Sequence, residues 1–165
     1  MSEATGGAVG LPGGSRADLE RYVRLLEERF GPDLVSVVLF GSRARGTAGP
    51  DSDIDLLVVI HGLPGSRLER QRVLFGVARA VSEEFADALM PVPLTPEEAA
   101  TVKPFYLGML SGHRILRDAG GFFGAVLERL HARFRDLGAQ RHVDEDGYEY
   151  WDLKPDWKPG DVVTL

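Results

Sequence analysis

The chain has 165 residues, 44% hydrophobic and 27% charged, the balance of one ordinary globular domain rather than a disordered or membrane-embedded chain. It has no cysteine, which excludes disulfides and thiolate metal sites and makes a cytoplasmic home the default expectation. The net charge of −6 argues against a broad nucleic-acid surface, because gripping a phosphate backbone takes concentrated Lys and Arg.

Residues 1–15 are Gly-rich and aperiodic, with neither the basic start nor the apolar block of a signal peptide; they read as a disordered leader. No apolar stretch is long enough to span a bilayer. Leu19, Tyr22, Val23, Leu26 and Phe30 recur at helical spacing until Gly31-Pro32 stops them. "LVSVVLF", ending at Phe40, is β-branched and apolar and reads as a buried strand. A loop over 41–52 leads to a second strand over 53–60, and His61 to Gly65 form a turn. Ser66, with Glu69 three residues on, has the pattern of a capping box for a helix whose buried stripe is Leu74, Val77, Ala78, Val81 and Phe85.

A third strand is expected over 88–94, pushed to a sheet edge by Pro91 and Pro93. Thr95-Pro96-Glu97-Glu98 is another helix start, with a Thr cap, Pro first and Glu third. "HRIL" after Gly112 predicts a short fourth strand, and Phe123, Val126, Leu127, Leu130, Phe134 and Leu137 a last helix. The expected fold class is therefore α/β (α+β), a small mixed sheet of three to four strands flanked by helices. From Gln140 the tail mixes acids, prolines and Tyr148, Tyr150, Trp151 and Trp157; four aromatics so close together predict packing on the domain or a partner. His61, His113, His131 and His142 are scattered without metal-ligand spacing.

The chemistry concentrates in "VLFGSRARGTAGPDSDIDLLVVI", residues 38–60. Side chains alternate along a strand, so Asp53 and Asp55 share a face with Cα atoms ~7 Å apart. Two carboxylates that close repel each other unless a proton or cation lies between them. Mg²⁺ commonly binds one or two carboxylates plus substrate phosphates. In the preceding loop Gly41 lets a phosphate approach the backbone, the Ser42 hydroxyl can donate to it, and Arg43 and Arg45 bring positive charge. Asp51 suits a turn former.

"GSRARG" followed by "DSDIDLLVV" resembles the signature of the DNA polymerase β-like nucleotidyltransferase superfamily, and the short chain resembles its minimal nucleotidyltransferases, many of them partners of HEPN-domain toxins. The resemblance covers residues 16–118, leaving 119–139 as a C-terminal helix and 140–165 as the tail. It implies a polymerase β-like fold and Mg²⁺-dependent transfer of a nucleoside monophosphate, AMP from ATP or the equivalent from another nucleoside triphosphate, onto a hydroxyl. It implies the β- and γ-phosphates at Gly41 and Ser42, beside the phosphate-directed charge of Arg43 and Arg45, and two Mg²⁺ ions at Asp53 and Asp55. A third carboxylate on the next strand completes the family's set, and Asp87 is the residue available for it. If Asp87 faces as Asp53 and Asp55 do, the set is complete; if the strand starts at Leu89, Asp87 belongs to the preceding turn. The implied acceptor is a partner protein such as a HEPN-type toxin. Two alternatives remain: a non-catalytic nucleotide-binding antitoxin that docks, and a small-molecule (antibiotic) nucleotidyltransferase, for which a homo-oligomer could build the acceptor pocket.

Overall fold

The computed structural model describes residues 16–165; the leader expected over 1–15 lies outside the described residues. In chain order, α1 (Arg16–Phe30) is followed by a tight turn and β1 (Leu34–Phe40), the short helix α2 (Gly41–Arg45), and β2 (Ile54–Ile60). Then come α3 (Arg67–Arg79), α4 (Glu83–Ala88), β3 (Leu89–Leu94), α5 (Pro96–Ala100), α6 (Tyr106–Met109), β4 (Arg114–Asp118) and α7 (Phe122–Leu137). A hairpin of β5 (Gln140–Val143) and β6 (Glu149–Asp152) precedes the C-terminus.

The four-stranded sheet has the order β3-β2-β1-β4. β1 runs antiparallel to β2 and β4, and β2 runs parallel to β3. The parallel pair is joined by a crossover through α3 and α4, as parallel neighbours require. β3 is one edge, where Pro91 and Pro93 remove two backbone donors that an invading strand would need.

Helices cover both faces. One core packs Tyr22 and Leu26 of α1, Leu74 of α3 and Phe85 of α4 against Leu39, Ile54, Leu56, Val58 and Ile60. The other packs Tyr106 of α6 and Phe123, Leu127, Leu130 and Phe134 of α7 against Val38, Leu57 and Val59. β2 thus feeds both cores by alternation, which is why "LLVVI" is apolar throughout rather than at every second position. Asp118 fixes α7 to the sheet: its carboxylate accepts from the Ser36 hydroxyl (2.6 Å) and from the N–H groups of Phe123 and Gly124 (2.9 Å each).

Three local outcomes bear on the site. The helix expected to run from Ser66 through Phe85 breaks: Ser82 caps a new helix by accepting from the Phe85 N–H at 3.0 Å. Ser66 accepts from the Glu69 N–H at 3.4 Å, so one half of its box forms, whereas Thr95 and Glu98 form both halves. In the tail, Trp151 packs edge-on against Phe134 (ring centroids 4.8 Å apart), while Tyr148, Tyr150 and Trp157 are exposed.

Candidate active site

The site begins where β1 ends. Phe40 is extended, and Gly41 switches to φ +72°, a backbone conformation that glycine adopts at no steric cost. This switch starts α2, and Gly46 at φ +75° ends it. Residues 46–53 then return the chain through a turn in which Ser52 N–H donates to Gly49 O (3.2 Å) and Gly49 N–H to Ser52 Oγ (2.9 Å).

β2 begins one residue after Asp53, so Asp53 is exposed just outside the ladder and Asp55 is half-buried inside it. Asp55 lies opposite Phe40 in the register, directly beside the Gly41 switch. A Cβ placed on Gly41 would stand 2.2 Å from Asp55 Oδ2, so only glycine leaves room for this carboxylate. Downstream, Leu56, Leu57, Val58, Val59 and Ile60 are all 0–1% exposed. At ~1.5–3 kcal/mol each, their burial is worth on the order of 10 kcal/mol gross. That anchor outweighs the partial desolvation of one acid and holds Asp55 in place.

The electrostatics follow from that placement. The Asp55 carboxyl is pushed above the usual carboxylate range, first by its own burial and then by the negative charge of Asp53; Arg45 and Arg43 partly offset this. When both carboxylates are ionised, all their oxygens are acceptors. A hard divalent cation suits that donor set, with substrate phosphate oxygens completing its coordination. Asp53 and Asp55 therefore fit the metal that the sequence implies.

The remaining expected residues divide. Arg45 is exposed beside the pair and lays its stem against the loop before β4, where a Cβ on Gly112 would meet Arg45 Cγ at 2.8 Å. Ser42 is half-buried in the first turn of α2. Arg43 departs from expectation: it was expected at the phosphates, but it turns inward and is 2% exposed. Its Nε donates to the carbonyls of Ser52 (2.9 Å) and Asp53 (3.0 Å), and its Nη2 also donates to Ser52 O. A guanidinium committed to two backbone carbonyls is not presented to a ligand.

Asp87 also departs. The Ser82 cap carries α4 through Ala88, so Asp87 has helical geometry and is exposed, and β3 starts at Leu89. The position beside Asp55 on β3 is Met90, half exposed. Among the described residues no three acidic, His or Cys side chains gather as a metal cluster. The sequence reading missed both Arg43's inward turn and Met90's place; the Ser82-Glu83-Glu84 cap signature was the signal that could have placed Asp87 in a helix.

The model of the nucleotidyltransferase domain family matches residues 19–91, from α1 through the first half of β3. A Methanocaldococcus jannaschii protein, named "Putative protein adenylyltransferase MJ1305", is 34% identical over 147 residues, spanning 88% of this chain and 94% of its own. A crystal structure of a toxin–antitoxin with AMP-PNP superposes with a TM-score of 0.50 and 17% identity, covering 72% of this chain and 88% of that one. A mutant of the toxin–antitoxin MntA-HpeT gives a TM-score of 0.50 and 16% identity at the same coverage. These structures share the fold of the sheet and its helices. The relative that is 34% identical over 88% of this chain, together with the matched domain, shows the family: this chain belongs to the nucleotidyltransferase domain family and is a group-transfer enzyme.

Proposed function

We propose that this nucleotidyltransferase moves AMP from ATP onto a hydroxyl of a partner protein, with Asp53 and Asp55 as the carboxylates that hold divalent metal. The observation that carries the reading is the apposition of Asp55 against the Gly41 switch, with Asp53 beside it. It places a pair of acceptor-only carboxylates at the mouth of a Gly-Ser loop, with Arg45 as the exposed cation. The protein acceptor is supported by the name of the M. jannaschii relative. The toxin–antitoxin neighbours make a HEPN-type toxin the partner to try first.

In this reading Gly41 admits the triphosphate to the backbone, and the Ser42 hydroxyl and Arg45 guanidinium orient its outer phosphates. Bound Mg²⁺, held by Asp53 and Asp55, would supply charge neutralisation at the phosphates. The acceptor oxygen forms a bond to the α-phosphorus; the bond to the β-phosphate bridging oxygen breaks; pyrophosphate leaves with that electron pair, and the acceptor proton passes to solvent. The chain's contribution is position and preorganised charge, not a covalent intermediate.

The test incubates the protein with labelled ATP, Mg²⁺ and its co-purifying partner. Label on the partner with wild type, and none with Asp53→Ala, is the expected result. Equal behaviour of the two sinks the reading. One observation favours a second reading, a docking antitoxin that binds nucleotide without transfer: Met90, not an acid, flanks Asp55. An Asp53→Ala/Asp55→Ala variant that still neutralises the partner would support docking.

A further inference from the structure

We propose that Arg43 is the positioning residue of this site, fixing the backbone of Ser52 and Asp53 and thereby the stance of the Asp53 carboxylate relative to Asp55. The inference rests on the reading of Asp53 and Asp55 as the metal-holding pair.

The two aspartates are held by different means. Asp55 belongs to the β1–β2 ladder and is fixed by the sheet. Asp53 precedes the first ladder pair and follows a loop containing Gly46, Gly49 and Pro50. Its placement therefore depends on what ties that loop down. The Gly49–Ser52 turn closes the loop on itself without attaching it to the sheet. Arg43 makes the attachment: it sits in α2, directly after β1, and its Nε and Nη2 take the Ser52 and Asp53 carbonyls.

Burial gives that attachment weight. A guanidinium at 2% exposure is expensive to desolvate, and it stays buried only where acceptors compensate it. Arginine's planar fork holds two neighbouring carbonyls at once, which lysine's point charge does not. Removing the fork leaves the two carbonyls without these donors and frees residues 52–53 to shift. Because metal ligands must keep their geometry, loss of such a supporting contact typically costs ~10–100-fold in metal affinity.

The test uses the full chain and Mn²⁺ alone, titrated by electron paramagnetic resonance, with thermal unfolding recorded for every variant. Wild type, Asp53→Asn, Arg43→Met and the double variant form a cycle. The expected result is a roughly tenfold or greater weakening in each single variant, with the double variant little worse than either, since both act on one ligand. In the transfer assay Arg43→Met is expected to lower kcat with KM for ATP nearly unchanged. A merely structural role would lower the unfolding temperature while leaving Mn²⁺ affinity at the wild-type value, and that result overturns the proposal, as does an additive cycle. If Arg43→Met does not fold, Arg43→Lys keeps the buried charge without the fork, and wild-type Mn²⁺ affinity in it is equally fatal. The failure of the underlying reading looks different: Asp53→Asn would then bind Mn²⁺ as wild type does.

Discussion

Gly41→Ala separates backbone strain from damage to the site. Gly41 has φ +72°, and an L-residue held there costs roughly 1–2 kcal/mol. For a chain of this size that corresponds to a fall in unfolding temperature of ~2–8 °C, at ~2–4 °C per kcal/mol. The added methyl also meets Asp55, at 2.2 Å from Oδ2, 3.1 Å from Cγ and 3.3 Å from Cβ. Clearing the first contact moves the carboxylate oxygen by about an ångström, and the other two require Cγ and Cβ to give by a few tenths besides. A displacement of that size at a reacting centre costs on the order of 100-fold in rate. Gly62→Ala is the matched control: φ is +68° and nothing lies within 4 Å of its Cβ, so it carries the strain alone. The assays are thermal unfolding and transfer of label from ATP to the partner. Gly41→Ala should lose at least as much stability as Gly62→Ala, and only Gly41→Ala should lose transfer and Mn²⁺ binding. If Gly41→Ala transfers label as Gly62→Ala does, the claim that Asp55 works from against the Gly41 switch is wrong.

Asp87→Asn, on the exposed side of α4, should leave transfer within roughly twofold of wild type, as surface substitutions do; a loss beyond tenfold would place Asp87 in the site after all. Thr95→Ala removes a capping box and should cost ~1 kcal/mol of stability, read as a small fall in unfolding temperature without loss of Mn²⁺ binding. Glu98 is held below the ordinary glutamate value of 4.5, first by its hydrogen bond from Arg70 and then by the Thr95 N–H. Its contribution to stability is therefore full above that value and is lost as pH falls through the lower folded one. Glu98→Gln should flatten the decline in unfolding temperature below pH 4.5; an unchanged decline would mean that the pair with Arg70 is immaterial.

What could be read from the sequence follows a physical division. The strand–loop–strand around Gly41 and Asp55 was legible because residue type, spacing and alternation all constrain one another there. α5 was legible because Thr95, Pro96 and Glu98 each state the same helix start. The start of β3 was legible to within one residue, but the helix before it was not, since the stripe running to Phe85 suggested one continuous helix and hid the Ser82 cap that makes Asp87 helical. Arg43 was misjudged because arginine is ordinarily exposed, and nothing local signals that two carbonyls nine and ten residues on will receive it. The β5–β6 hairpin escaped notice because its strands are short and charged; its signal was the turn, where Asp144 Oδ1 accepts from Asp146 and Tyr148 N–H and Gly147 takes φ +84°.

The central claim is nucleotidyl transfer at Asp53 and Asp55, and the position of the label in ATP tests it most directly. The protein, Mg²⁺ and its partner are incubated in parallel with ATP labelled at the α-phosphate or at the γ-phosphate, and the partner's intact mass is measured. The account predicts label from the α-phosphate only, a mass gain of one nucleoside monophosphate per site, and neither with Asp53→Ala/Asp55→Ala. Label from the γ-phosphate, or α-label undiminished in the double variant, would contradict it.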